Sequence, residues 1–169
     1  MTSKTDNLLD WLRDAHAMEQ QAEKMLEAQA GRLENYPQLK SRIEQHLEET
    51  KGQQRLLEDC LKRLDSSPSL LKDFGGKLMA FGQAVGGMTV SDEVVKGAMS
   101  GYVFENMEIA AYTVLIAAAQ DVGDSATEAS LKQILPQEVA MADWLREHLP
   151  EITQAYLARD RADADEAKR

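Results

Sequence analysis

The 169-residue chain is poor in cysteine, proline, aromatic residues and basic residues. Its single cysteine, Cys60, cannot form an intramolecular disulfide, which is typical of a reducing compartment, so we expect a cytoplasmic protein. Nineteen Lys and Arg against 29 Asp and Glu give a formal net charge of −10. Nucleic-acid and anionic-membrane binding depend on clustered Lys and Arg, so we expect no nucleic-acid partner and no membrane partner.

Long hydrophobic runs are missing as well. The most apolar stretch, Ile109 to Ala119, is shorter than the roughly 20 residues of a transmembrane helix. The first ten residues contain acids and have no apolar run like that of a signal peptide. The sequence also has no phosphate-binding glycine loop, CxxC pair or nucleophile elbow, so we predict no organic cofactor. These features are typical of a single helical domain, predicted at 1–160, with a solvated tail at 161–169.

Apolar residues recur at the three- and four-residue steps of amphipathic helices. We predict helices at about 7–34, 37–64, 92–121 and 126–148. Pro37 suits the first turn of the second helix. Glycines in the long crossover at 66–90 leave room for one or two short extra helices. Pro136 predicts a kink or break in the last helix and Pro150 predicts its end. The predicted fold class is therefore all-α, a four-helix bundle with a helical crossover.

Two glycines lie four residues apart in the third predicted helix, which is the most apolar of the four. Gly97 and Gly101 lower helix propensity there without any local turn to explain them. Because residues four apart share a helical face, we expect another helix or the crossover to pack closely at this point.

One glutamate occurs at a matching place in each predicted helix. Glu108 follows Glu19 by 89 residues, and Glu138 follows Glu49 by the same number. Within each half the two glutamates are 30 residues apart across a turn, so an antiparallel pair brings both to one level. Carboxylates at one level inside a bundle repel each other unless protons or cations lie between them. Iron and manganese proteins use such layers as di-metal sites.

Further candidate ligands flank this layer. Glu105 lies three residues before Glu108 on the same helical face. His46 lies three residues before Glu49 and Gln53 four after it, so both are within reach of the layer. The competing interpretation is a solvated acidic face, since 29 acids form many such pairs by chance. The apolar surroundings of Glu108 favour the metal site, because a buried carboxylate needs a partner.

Four motifs resemble the YciE/YciF-like stress-protein family, a ferritin-like group formerly catalogued as a domain of unknown function. They are DAHAME (14–19), HLEETKGQ (46–53), FENMEIAAY (104–112) and QEVAMADWL (137–145). Their order and spacing agree across four helices, and the resemblance covers about 7–148. It implies a ferritin-like four-helix bundle, a homodimer, and two iron or manganese ions. The ligands that it implies are Glu19, Glu49, Glu105, Glu108 and Glu138.

The sequence also departs from rubrerythrin-like di-iron proteins. Gly52 stands where those proteins have a histidine three residues after the second-helix glutamate, and Met141 stands where a histidine follows the fourth-helix glutamate. Asn106 stands where many members of the more similar family have histidine. This loss of imidazoles counts against a tightly held pair of redox-active iron ions.

Two functions remain open at this point. The first is a stress-associated ferritin-like protein that oxidises Fe(II) or reacts with peroxide or oxygen, with Tyr112 as a nearby phenol. The alternative is a non-catalytic helical bundle, structural or partner-binding, with a degenerate metal site. A cage-forming iron store or DNA-protecting shell is disfavoured because the acidic chain has no basic arm.

Overall fold

The computed structural model describes residues 3–64 and 92–162, which form four long helices. These helices are α1 (Lys4–Ala30), α2 (Pro37–Leu64), α3 (Glu93–Val122) and α4 (Ser125–Arg161). The described residues contain no β-strand, and the predicted all-α bundle is confirmed. Within the same residues, no helix combines the length and the apolar character needed to cross a membrane. The short helices predicted at 66–90 lie outside the described residues, as does nearly all of the predicted tail.

The order in which the helices pack defines the topology. α1 packs against α2 and α3, and α4 packs against α3 and α2. α1 and α3 are antiparallel, because Lys4 Nζ lies 2.9 Å from Asp121 Oδ2 and Arg32 Nε lies 2.8 Å from Glu93 Oε1. The short turn between α1 and α2 makes these two helices antiparallel as well. α2 and α3 are therefore parallel, and Leu64 and Glu93 lie at opposite ends of the bundle. One long connection between parallel helices is the arrangement of ferritin-like bundles.

Local sequence explains several helix ends. α1 begins with a capping box, in which Ser3 Oγ accepts a hydrogen bond from the Asp6 N–H at 3.1 Å and Asp6 Oδ2 accepts one from the Ser3 N–H at 2.8 Å. Gly123 ends α3 in the left-handed conformation, with φ 74°. Asp124 Oδ1 then accepts a hydrogen bond from the Thr127 N–H at 3.0 Å, which caps α4.

The predicted end of the last helix at Pro150 is wrong. α4 continues without a break through Pro136 and Pro150 to Arg161. Both prolines are exposed. Beyond Pro150, Ile152 and Tyr156 are buried in the core. Burying these two side chains offsets the lost backbone hydrogen bond, because an apolar side chain contributes about 1.5–3 kcal/mol when it is fully buried.

The buried interior consists of two apolar clusters separated by polar side chains. The cluster toward the start of α1 includes Leu8, Leu12, Met18, Leu57, Leu61, Leu115, Leu131 and Ile134. The cluster toward the end of α1 includes Leu26, Leu33, Ile43, Val94, Ala98, Met141, Leu145 and Ile152. Between them lie Glu19, His46, Thr50, Gln53, Glu105, Glu108 and Glu138, which we call the polar layer; each is at most 3% exposed. The core is thus interrupted at the level where the sequence predicted a metal site.

The close approach predicted at the glycines of α3 is confirmed at Gly97. A Cβ atom added there would lie 3.0 Å from Gln29 Nε2 of α1. A Cβ atom at Gly101 would lie 3.5 Å from Leu145 Cδ1 of α4, which is ordinary van der Waals contact. The first turns of α3 therefore face α1 across a narrow gap.

Candidate metal centre

One histidine and three glutamates from three helices meet in the polar layer. His46 comes from α2, Glu105 and Glu108 from α3, and Glu138 from α4. Each offers one ligand atom, and these four atoms all lie within 4.8 Å of one another. Ligand atoms on opposite sides of a cation, each about 2.0–2.5 Å from it, are separated by about 4–5 Å. The four-residue group therefore has the dimensions of a cation site.

Helical periodicity brings several α2 side chains to the same place. Residues four and three positions apart share one face, so His46, Thr50 and Gln53 all point inward. None is more than 1% exposed. Sequence reasoning missed Thr50, although its position one turn after His46 was the available signal. Thr50 Oγ1 makes no hydrogen bond with the described residues, so this hydroxyl adds another oxygen to the polar layer.

Many of the buried oxygens lack a donor. Both carboxylate oxygens of Glu108, and one oxygen each of Glu19, Glu105 and Glu138, make no hydrogen bond with the described residues. Leaving buried polar atoms unpaired costs free energy, and native proteins seldom do so. His46 Nε2 lies 3.2 Å from Glu105 Oε2 and 3.6 Å from Glu138 Oε2 without hydrogen-bonding geometry. The ligand atoms of His46, Glu105, Glu108 and Glu138 fit a divalent cation, which would satisfy the unpaired atoms of these four residues.

Glu19 brings α1 into the polar layer. The Tyr112 hydroxyl donates a hydrogen bond to Glu19 Oε1, while Glu19 Oε2 makes none with the described residues. Burial, followed by the negative charge of Glu138, raises the pKa of Glu19 well above its usual range. The predicted phenol at Tyr112 is therefore in direct contact with one of the predicted ligands.

Burial and mutual repulsion control protonation in this layer. Burial, then the charges of Glu19 and Glu138, raise the pKa of Glu108 well above its usual range. Burial is also the main cause that raises the pKa of Glu105 to about 7. Burial would lower the pKa of His46, but the nearby carboxylates of Glu105, Glu138 and Glu49 favour the charged imidazolium and raise this pKa well above 6.5. Without a metal ion, protons and an imidazolium offset the repulsion between the carboxylates.

Glu138 differs from the other glutamates of the layer. Burial would raise its pKa, but the close positive charge of His46 lowers it below 4.5. Gln53 Nε2 also donates a hydrogen bond to Glu138 Oε1 and another, at 2.9 Å, to Gln137 Oε1. Glu138 therefore stays ionised, and both His46 and Gln53 stabilise its negative charge.

Glu49, one of the predicted ligands, lies beside the four-residue group. Its Oε2 lies 2.7 Å from His46 Nδ1 and 3.4 Å from Arg42 Nη1, and its Oε1 accepts a hydrogen bond from Gln45 Nε2 at 3.0 Å. The Glu49 side chain is 21% exposed, whereas that of His46 is fully buried. Histidine ligands commonly donate their second ring N–H to such a carboxylate. The structure thus places Glu49 where it orients His46.

Comparison with known proteins identifies the family of this chain. Residues 3–158 match the family described as "Domain of unknown function (DUF892)". The chain belongs to this family. The resemblance to YciE/YciF-like stress proteins, inferred above from four motifs, is confirmed by this match and by the solved structures. The polar layer and its two flanking clusters lie within the matched DUF892 residues.

Solved structures similar to this DUF892 chain share its fold. A protein from Xanthomonas campestris pv. campestris is 39% identical, with a TM-score of 0.78, and the match covers 94% of this chain and 99% of that one. YcfI from Rhodopseudomonas palustris is 27% identical, with a TM-score of 0.70 and coverage of 85% and 93%. The Escherichia coli stress protein YciF is 22% identical, with a TM-score of 0.76 and coverage of 88% and 96%, which shows a common fold.

Proposed function

We propose that this chain is a stress-associated ferritin-like protein that binds two iron or manganese ions in the polar layer and uses them to oxidise Fe(II) or to react with peroxide or oxygen. The supporting observation is the set of buried carboxylate oxygens that lack a hydrogen-bond donor among the described residues. Four glutamates carry four negative charges when ionised, and two divalent cations offset that charge. Without metal ions, this negative charge is avoided only if the carboxyl groups are protonated.

The proposed ligands form two overlapping sets. His46, Glu105, Glu108 and Glu138 would hold one ion, because their ligand atoms already lie within 4.8 Å of one another. Glu19 would hold the second ion together with Glu108 and Glu138, whose charges act on it through the low-dielectric interior. Oxygen-rich sites with few imidazoles suit manganese, and imidazole also suits iron. The donor set is therefore compatible with both metals.

The side chains around the ligands would support the same function. Bound iron or manganese supplies redox chemistry and a Lewis acid. The Tyr112 hydroxyl donates a hydrogen bond to Glu19 and thereby orients this carboxylate. The Glu49 carboxylate holds His46 Nδ1, so that Nε2 faces the layer. Two apolar clusters exclude water on either side and thus strengthen the electrostatic interactions inside.

Metal content per chain tests this proposal directly. Protein produced with iron and manganese, and never exposed to a chelator, should contain close to two ions per chain by elemental analysis. A Glu138→Ala variant should lose at least one of them. The matched control is Glu128→Ala, in the same helix, because Glu128 pairs with Lys132 at the surface. Fewer than one ion per chain after anaerobic loading of the unmodified protein would contradict the proposal.

A non-catalytic bundle with a degenerate metal site is the second candidate. It is favoured by Gln53, whose amide donates to Glu138 and so occupies part of the coordination space of that carboxylate. An amide in this position neutralises part of the layer without any metal. Under this second candidate, Gln53→Ala would destabilise the chain, and added Mn(II) or Fe(II) would leave its unfolding temperature unchanged. A metal-dependent rise in that temperature would rule the candidate out.

We propose that the chain forms a homodimer through the outer face of α3. Met99, Val103 and Val114 project from that face and are 54%, 59% and 52% exposed. α3 is the most apolar of the four helices, and a helix that is apolar on all sides is normally buried on all sides. Analytical ultracentrifugation should therefore show a dimer, and Val103→Lys should convert it to monomer. A monomeric unmodified chain at micromolar concentration would refute this assembly.

The proposed setting is the reducing cytoplasm. Cys60, the single cysteine of the chain, is buried as a free thiol among leucines of the first apolar cluster. A buried thiol of this kind acts as a small apolar side chain and keeps its role only while it stays reduced. Cell fractionation with an antibody against the chain tests this location.

A further inference from the structure

A cavity opens between α1 and α3 and leads toward the candidate metal centre. Its volume is about 120 Å³. The lining residues extend from Arg32, just beyond the end of α1, back along α1 to Ala22, and along α3 from Glu93 to Glu105. Ala22 lies one helical turn from Glu19, and Glu105 belongs to the four-residue group. The inner end of the cavity therefore adjoins the polar layer.

Small side chains leave this space open. They include Ala22, Ser100 and Gly101. Glu105 also indicates that the cavity takes a ligand, because this buried residue, only 3% exposed, lies in its lining. Its Oε2 makes no hydrogen bond with the described residues. An entering molecule thus meets a buried carboxyl group of the candidate centre.

The walls of the cavity are mostly apolar and favour a small apolar molecule. Leu26, Val94 and Phe104 line it, and the polar side chains of Gln29, Lys96 and Ser100 also contribute to the lining. At the outer end, Arg32 and Glu93 pair with each other at 2.8 Å, so neither attracts free ions strongly. A hydrated metal cation would lose water along these walls without gaining enough oxygen ligands. The volume corresponds to about four water molecules, whereas organic ligands usually occupy about 300 Å³ or more.

We propose that this cavity is the route by which dioxygen reaches the candidate metal centre. The inference rests on the proposed function and deepens it, because it selects dioxygen from among the oxidants named there. Dioxygen is small and apolar, so it enters apolar space at little cost. Hydrogen peroxide has two O–H donors, and along most of the wall only a few side chains, such as Gln29 and Ser100, are able to accept them, so it enters at a higher cost than dioxygen.

The route can be tested on the metal-free chain, independently of any metal activity. Dissolved dioxygen is paramagnetic and speeds the relaxation of nearby methyl groups, which methyl NMR under oxygen pressure measures. The methyl groups of Met25, Leu26 and Val94 line the cavity, and their relaxation should be enhanced several-fold more than that of Leu131 and Ile134. The latter two are fully buried in the other cluster and serve as internal controls. Equal enhancement in both groups would overturn the proposal.

A filled cavity provides the second test. Ser100→Leu places a larger side chain in the cavity lining and should abolish the selective relaxation enhancement. Ser130→Leu is the matched control, because Ser130 lies on α4 outside the cavity. After anaerobic loading with Fe(II), which supplies the electrons, Ser100→Leu should consume dioxygen several-fold more slowly while its metal content stays unchanged. An unchanged rate in a folded variant that has lost the enhancement would overturn the route, whereas a loss of bound metal in the unmodified chain would count against the proposed function instead.

Discussion

Glu49 Oε2 lies 2.7 Å from His46 Nδ1, on the side of the imidazole that faces away from Glu105 and Glu138. This contact gives His46 a fixed ring orientation, with Nε2 directed at the two carboxylates. Since Glu49 is partly exposed and also contacts Arg42, it would act on the proposed site through the histidine. The contact distinguishes His46, a proposed ligand, from Glu49, a residue that would position it.

Glu49→Ala should therefore weaken metal binding without changing the number of ions bound. Loss of a carboxylate that supports a histidine ligand typically lowers metal affinity about 10–100-fold. Competition with a chelator measures the affinity, and elemental analysis at saturation gives the number of ions. Glu48→Ala is the control, because Glu48 lies next to Glu49 but pairs with Lys51 at the surface. Loss of a whole ion per chain from Glu49→Ala would make Glu49 a direct ligand.

Glu108→Gln should have opposite effects with and without metal. The substitution removes an acid whose pKa burial raises well above its usual range, so the metal-free chain should be as stable as the unmodified chain or more stable. With Mn(II) at 100 times its dissociation constant, the unmodified chain should gain about 2.7 kcal/mol, and the variant should gain much less. Urea unfolding with and without Mn(II) measures both effects. A full metal-dependent gain in the variant would exclude Glu108 as a ligand.

The stability of the metal-free chain should fall as pH rises from about 5 to 7.5. The folded-state pKa of Glu105 is raised from 4.5 to about 7, so within this interval the unfolded chain releases a proton that the folded chain keeps. His46 acts in the same direction, because its pKa is raised above 6.5 and its contribution is lost as pH rises through the folded value. Each such group lowers stability by up to about 1.4 kcal/mol per pH unit.

Urea unfolding at several pH values checks this slope, and saturating Mn(II) should reverse it, because a bound cation favours the ionised carboxylates. The Glu105→Gln variant is the matched comparison and should show a smaller slope in the absence of metal. Stability that rises with pH in the metal-free chain would contradict the assigned protonation of Glu105 and His46.

Much of this fold could be predicted from the sequence because its signals are local. Pro37 marks the start of α2, and the repeated spacing of the four glutamates brings Glu19, Glu108 and Glu138 into the polar layer, with Glu49 beside it. The direction of the Glu49 side chain could not be predicted, since it depends on Arg42 and His46 competing for the same carboxylate. Helical spacing assigns a residue to a level and an approximate face, whereas the neighbouring charges decide where its carboxylate points.

Pro150 is the clearest case in which tertiary packing overrides a local signal, and it offers a test of the fold. Because α4 continues through this residue, Pro150→Ala would add an N–H that is able to donate to the carbonyl of Arg146 four residues earlier. A proline inside a helix costs about 3 kcal/mol, so replacing it removes that cost. Alanine also gives the unfolded chain more conformational freedom, which offsets part of the gain, so we expect Pro150→Ala to stabilise the fold by about 1–2 kcal/mol.

Pro37→Ala is the matched control for this substitution, since Pro37 occupies the first turn of α2, where its missing N–H costs nothing. It should leave stability unchanged or lower it slightly, and neither variant should alter metal content, because both prolines are exposed at the surface. Thermal unfolding of both variants measures the difference. Destabilisation by Pro150→Ala as well would mean that the helix ends at Pro150, in which case Ile152 and Tyr156 would reach the core from a separate segment.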